Sequence, residues 1–242
     1  MRCVPQREIL RRVALVLAAV AIFVLGGCAA QAYKQKAEFP RGERAPRIVL
    51  MPLDVELAEL TAGGLPQPKA EWTEAAHGHL QAALARELAA RNLELIPFAP
   101  EKGTPEDQEE AVALTKLHRA VGESILLHHY QPGYELPSKR GKFDWSLGPL
   151  AATLARSQEA DYALFVFMRD SYASAGRVAV MVVGALMGIG VTGGAQVGFA
   201  SLVDLRTGDI VWFNRVTRAS GDLRTAEGAA ETVKVLLTDA PK

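Results

Sequence analysis

Hydrophobic residues along this chain recur in three patterns. The first is continuous: every position from Val13 to Leu25 is apolar, with Arg2, Arg7, Arg11 and Arg12 before the run and Gly26-Gly27-Cys28 after it. At ~1.5 Å per residue such a helix spans only about 20 Å, whereas a hydrocarbon core of about 30 Å asks for ~20 residues. The layout therefore predicts a cleaved secretory signal over residues 1–27. The second pattern has helical spacing. Trp72, Ala76, Leu80, Ala83, Leu84 and Leu88 recur at intervals of three and four behind Pro66 and Pro68, which predicts a helix reaching about Asn92. Thr104-Pro105-Glu106-Asp107 supplies a cap, a first-turn proline and acids at the positive end of a helix whose buried face would be Leu114, Leu117, Val121 and Ile125. Ser146 is placed to cap a short helix through Ala155, and a last helix fits Thr225 to Leu237.

The third pattern is the short apolar run bounded by turn residues, the signature of a buried strand. Arg47–Val55, Leu93–Ala99 and Tyr162–Met168 qualify, as do Val197–Leu205 and Ile210–Val216. The last two are joined by Arg206-Thr207-Gly208-Asp209, with glycine where a left-handed conformation is needed, and predict a hairpin. Strands separated by helices pair in parallel, and hairpins pair antiparallel. The expected fold class is α/β: a mixed, mainly parallel sheet with a carboxy-terminal antiparallel hairpin and helices packed on it. Its extent is one domain over residues 46–242. Residues 28–45 are polar, contain Pro40 and Gly42 and read as a tether, which at ~3.3 Å per residue reaches about 60 Å.

Composition narrows the function classes. The chain has 27 basic and 27 acidic residues, 49% hydrophobic residues, 22% charged residues and a mean hydropathy of +0.08. That balance gives no electrostatic footprint for nucleic acid and is wrong for a disordered chain, and two cysteines cannot frame a disulfide scaffold. Removing residues 1–27 takes away four arginines and Glu8, leaving 23 basic against 26 acidic side chains, a mature charge of −3.

Leu25-Gly26-Gly27-Cys28 resembles the lipobox of bacterial lipoproteins. The resemblance implies cleavage before Cys28, with Leu25, Gly26 and Gly27 as recognition residues, and attachment of diacylglycerol and a further acyl chain such as palmitate to Cys28. Three chains would make the anchor effectively permanent. Ala29 is not the aspartate that marks inner-membrane retention, so the expected address is the outer membrane, with the domain facing the periplasm. Cys3 leaves with the signal, and no thiol remains for a disulfide, nucleophile or metal. The opening RIVLMPLD, the Ala160-Asp161-Tyr162 step and the hairpin LVDLRTGDIVW resemble the α/β domain shared by the curli-secretion lipoprotein family, the amino-terminal domain of TolB and the lipoproteins that activate penicillin-binding proteins. The same hairpin is similar to a quinoprotein propeller blade, but it occurs once and a propeller needs it repeated.

The most unusual segment is Val178–Val191, fourteen residues without a polar side chain. Its ordinary reading is a helix packed into its own domain; self-association and membrane contact are the alternatives. Gly184 and Gly188, four apart, would form a groove on a helix, and Val180, Met181, Val183, Gly184, Met187 and Gly188 make the candidate interface. The segment does not alternate apolar with polar as a barrel strand does. Gly188 to Gly193 matches G-x-G-x-x-G but precedes a strand, whereas the dinucleotide fingerprint opens a helix.

Catalytic candidates are weak. His77, His79, His118, His128 and His129 lack the spacing of a helical metal pair and are read as surface or half-buried. Asp161, Asp170 and Asp204 sit at or near strand ends, where carboxylates usually cap or solvate. Ser138, Lys139, Arg140 and Lys142, with Phe143 and Trp145 beside them, read as a solvated basic loop. The expectation is a protein that is not an enzyme and needs no cofactor or metal: a periplasmic assembly, activator or scaffold module of an envelope complex, bound to the membrane through Cys28 and to an envelope protein partner. The alternative is a self-assembling secretion or export component, a homo-oligomer, using 178–191 for oligomer or membrane contact.

Overall fold

A computed structural model describes residues 46–241. The expected signal, the lipobox with Cys28 and the tether lie outside them. Strands β1 (Arg47–Leu50) and β2 (Asp54–Leu60) run one after the other, parallel to the long strand β5 (Tyr162–Ala173). Ile48 faces Tyr162 and Asp54 faces Phe167, so six steps on one strand oppose five on the other. The extra residue falls within Met51-Pro52-Leu53, where Pro52 has no N–H to give the ladder. The single strand expected over 47–55 is thus a bulged pair that continues to Leu60.

Strand β3 (Pro66–Pro68) turns back antiparallel on β2, and β4 (Glu94–Pro97) lies parallel to β1. Strands β6 (Gln196–Asp204) and β7 (Ile210–Arg218) add antiparallel to β5 as the expected hairpin, and Gly208 in its turn has a φ of +80°. The result is a mixed seven-stranded α/β sheet.

Helix α1 (Ala70–Ala89) and helix α5 (Ala226–Leu236) cover one face, where alternate residues Leu164, Val166 and Met168 of β5 meet Leu80, Leu84 and Val233. Helix α2 (Pro105–His128) and helix α3 (Ala151–Gln158) cover the other, against Ala163, Phe165 and Phe167. A strand buried on both faces has no polar alternation to show, which is why YALFVFM is continuously apolar. The α1 stripe Ala76, Leu80, Ala83, Leu84 and Leu88 is buried as its spacing predicts. At the start of α2, Thr104 and Asp107 form a reciprocal capping box. Helix α4 (Ala175–Leu186) leaves the end of β5 and packs on neither face.

Four expectations are corrected. The buried face of α2 is Ala111, Leu114, His118, Gly122 and Ile125; Leu117 is exposed and Val121 half-buried, because the helix is rotated so that Gly122 admits the Phe199 ring. His118 is therefore a core residue. Ser146 does not cap α3: its strand-like bridge to Asp209 holds it at the β6–β7 hairpin, and the helix begins at Ala151. Finally, 178–191 is not a helix packed into its own domain: apart from half-buried Met181 and Val191 and buried Gly184, its residues are exposed.

Candidate functional site

Helix α4 begins where β5 ends. Ser174 caps it, its Oγ accepting from the Arg177 N–H at 3.2 Å while its own N–H donates to the Leu60 carbonyl. Arg177 fastens the first turn to two neighbouring segments, donating from Nε to the Thr192 carbonyl at 3.0 Å and from Nη1 to the Ala62 carbonyl at 3.3 Å. Beyond that turn the helix packs against its own return segment, residues 187–194. Met181 packs on Gly193, and the open side of Gly184 is filled by Val191 and the Ile189 carbonyl.

The end of α4 is closed by a Schellman cap. Gly188 has a φ of +73°; its N–H donates to the Ala185 carbonyl at 3.1 Å, and that of Ile189 to the Gly184 carbonyl at 2.8 Å. This is the role of the first glycine in the G-x-G-x-x-G string, and strand β6 follows. The string is a helix terminator, without the helix amino terminus that a pyrophosphate requires.

Exposure is concentrated here. Leu186 is 84% exposed, Met187 71%, Val182 and Ile189 57% each, and Val183 52%. Of the expected interface residues, Val180, Val183, Met187 and Gly188 are exposed, Met181 is half-buried and Gly184 is buried by its own chain. Val178, Val182, Leu186 and Ile189 join the surface; they belong to the same unbroken apolar run and could have been read from it. No helix among the described residues is long and apolar enough to cross a membrane.

A second cluster lies at the same end of the sheet. The Asp170 carboxylate is buried and accepts from Tyr172 Oη at 2.5 Å and Gln196 Nε2 at 2.8 Å; the Leu223 N–H donates to Tyr172 Oη at 2.9 Å. Gln196 Oε1 accepts from Arg218 Nε at 2.8 Å and Thr232 Oγ1 at 3.1 Å, and Arg218 pairs with Glu231 at 2.7 Å. Burial pushes the Asp170 carboxyl above the usual carboxylate range, opposed by the hydrogen bonds from Tyr172, Gln196 and Leu223. Burial, together with the hydrogen bond to Asp170, also raises Tyr172. Arg224 lies 3.8 Å from the Tyr172 ring centre and its hydrogen bond holds the Asp222 carboxyl low. A shallow cleft between Gly193–Gln196 and Ala219–Gly221 opens beside these groups. The arrangement ties the loop before α5 to the ends of β5, β6 and β7. Only Asp170 was singled out in the sequence; its partners are Tyr172 on the same strand, Gln196 on β6 and Leu223 in the loop before α5.

The remaining candidates are structural. Asp161 accepts from the Arg47 N–H and Asp204 from the Arg206 N–H, each holding a strand end. Phe143 is buried in the core and Lys139 Nζ sits 4.6 Å from the Trp145 ring centre, so the basic loop spends its aromatic neighbours on packing. Among the described residues no three His, Cys, Asp or Glu side chains gather as metal ligands. Burial lowers the His118 pKa to about 3 and also lowers His129.

No protein-family model matches this chain, and no curated protein matches it. Solved structures similar to it include the PelC dodecamer from Paraburkholderia phytofirmans, at 15% identity over 81% of this chain and 92% of that one, with a TM-score of 0.34. The LpoB C-terminal domain from Salmonella enterica is similar at 14% identity over 82% and 90% of the two chains, with a TM-score of 0.29. Lipoprotein GNA1162 from Neisseria meningitidis is similar at 13% identity over 81% and 99%, with a TM-score of 0.34.

Proposed function

We propose that this chain is a non-enzymatic lipoprotein of the outer membrane, anchored through Cys28, whose α/β domain faces the periplasm and serves as an assembly, activator or scaffold module of an envelope complex. The observation that carries the reading is α4: an apolar helix held firmly at its base yet left uncovered by a sheet whose two faces are otherwise clothed in helices. An exposed apolar surface of this kind marks a contact. The layout of residues 1–28 supports the anchor. Asp170, the buried acid with the raised pKa, is spent on closing the 219–224 loop, and this supports a structural rather than catalytic use. The second reading, a self-assembling export component, draws on the same uncovered helix, which a second copy would also cover.

Two measurements test the proposal. Labelled palmitate should enter the wild-type chain and be absent from Cys28→Ala; continued labelling of the variant overturns the anchor. Crosslinking in the native envelope should then recover an adduct with an envelope protein. An adduct only between copies favours the export component, and a chain recovered only as monomer overturns the scaffold reading.

A further inference from the structure

Resting on the reading of α4 as the contact surface, we infer that its occupant is lipid: α4 and its return segment dip, tip first, into one leaflet of the membrane that holds the Cys28 anchor. The first reason is the width of the apolar surface. At ~100° per residue, Val178, Val182 and Leu186 fall on one side of the helix and Val180, Val183 and Met187 on the other, an arc of about 200°. All six are exposed. A helix that docks in a protein groove needs an apolar stripe of little more than about 100° and keeps its back polar, whereas lipid surrounds what enters it.

Charge and length agree. Between Ser174 and Ala195 the only charged residue is Arg177, at the base, where it would sit at headgroup level. The 12 residues of α4 rise about 18 Å at ~1.5 Å each, close to the ~15 Å of one hydrocarbon leaflet. The backbone at the tip is prepared as well. Hydrocarbon offers no partner to the carbonyls at a helix end, and here those of Val183, Gly184 and Ala185 already accept from Met187, Ile189 and Gly188.

Reach is sufficient. Arg47 and α4 lie at opposite ends of the β1–β2 line, which at ~3.3 Å per residue is about 45 Å long. The chain from Cys28 to Arg47 extends to about 60 Å, so it can run the length of the sheet and let both the lipid and α4 enter the same membrane.

The test uses the full lipidated chain in vesicles of phosphatidylethanolamine and phosphatidylglycerol, with Leu186→Trp as the probe and Glu94→Trp, at the opposite end of the sheet, as the reference. Phospholipids brominated on their acyl chains should quench the added emission of Leu186→Trp about twofold and leave that of Glu94→Trp unchanged, while iodide should quench only Glu94→Trp. Shielding of position 186 from both quenchers would place protein on the helix; it overturns the lipid assignment and leaves the contact surface standing. Quenching of position 186 by iodide also overturns the lipid assignment, and the contact surface is then decided by the crosslinking in the native envelope.

Discussion

The ring of Phe199 fills the space in front of Gly122: a Cβ on this glycine would lie 2.0 Å from Cε2 of the phenylalanine. The contact sets how closely α2 approaches β6, and it predicts opposite outcomes for one substitution at two helical glycines. Gly122→Ala should destabilise the protein by ~1–2 kcal/mol, because overpacking toward the upper end of ~1–3 kcal/mol outweighs the ~1 kcal/mol gained in helix propensity. Gly78→Ala in α1, where nothing lies within 4 Å, should stabilise by up to ~1 kcal/mol. Urea unfolding of the two variants compares them directly.

His118 stacks on Phe165 at 4.7 Å and tilts against Phe199 at 5.3 Å, and its Nε2 has no hydrogen-bond partner among the described residues. Its pKa of about 3 lies below the ~6.5 of an unfolded histidine. The unfolded chain therefore binds the proton first, and the stability present above pH ~6.5 is lost as pH falls toward 3, at up to ~1.4 kcal/mol per pH unit. His118→Phe keeps the stacking and should remove this contribution. Unfolding free energies at pH 7 and 5 should differ less in the variant than in the wild type.

Asp170 has the opposite linkage. Its folded pKa is raised, so its contribution is fully present below the unfolded value of ~3.9 and is lost as pH rises through the folded value. Asp170→Asn keeps an oxygen to accept from Tyr172 and Gln196 and cannot ionise. The stability of Asp170→Asn relative to wild type should thus improve from pH 4 to pH 7. Tyr172→Phe removes a donor to the carboxylate and should cost ~1–2 kcal/mol at pH 7.

Arg177 links α4 to Thr192 and Ala62 by side-chain hydrogen bonds. Its replacement by alanine should free the helix without unfolding the sheet. Amide hydrogen exchange in 178–186 should accelerate about tenfold in Arg177→Ala, equivalent to ~1.4 kcal/mol, with β5 and β6 unchanged.

What was legible in the sequence followed from burial on one side. The α1 stripe, the cap at Thr104 and the Gly208 hairpin are local patterns with one structural answer. The doubly buried β5 was visible through its lack of alternation. The β1–β2 bulge was harder, since Pro52 interrupts a run whose apolar residues continue on both sides. For α2, spacings of three and four fit two neighbouring stripes; Ala111, Leu114, His118, Gly122 and Ile125 form the buried one because Phe199 needs the glycine. The apolar run after β5 has no polar face, so periodicity said nothing about which side is covered. Whether other elements cover it depends on the whole sheet, and most of its residues are left exposed.

The most direct measurement of the account is the reactivity of Leu186→Cys toward a water-soluble maleimide in intact envelopes, with Glu94→Cys as the reference and both read on their own peptides by mass spectrometry. With α4 covered in its native setting, position 186 should react about tenfold more slowly than position 94, a ratio that corresponds to ~1.4 kcal/mol of protection. In the same chain carrying Cys28→Ala and released into solution, the two positions should react at similar rates. Equal rates in the intact envelope would contradict the claim that α4 is the surface through which this protein works.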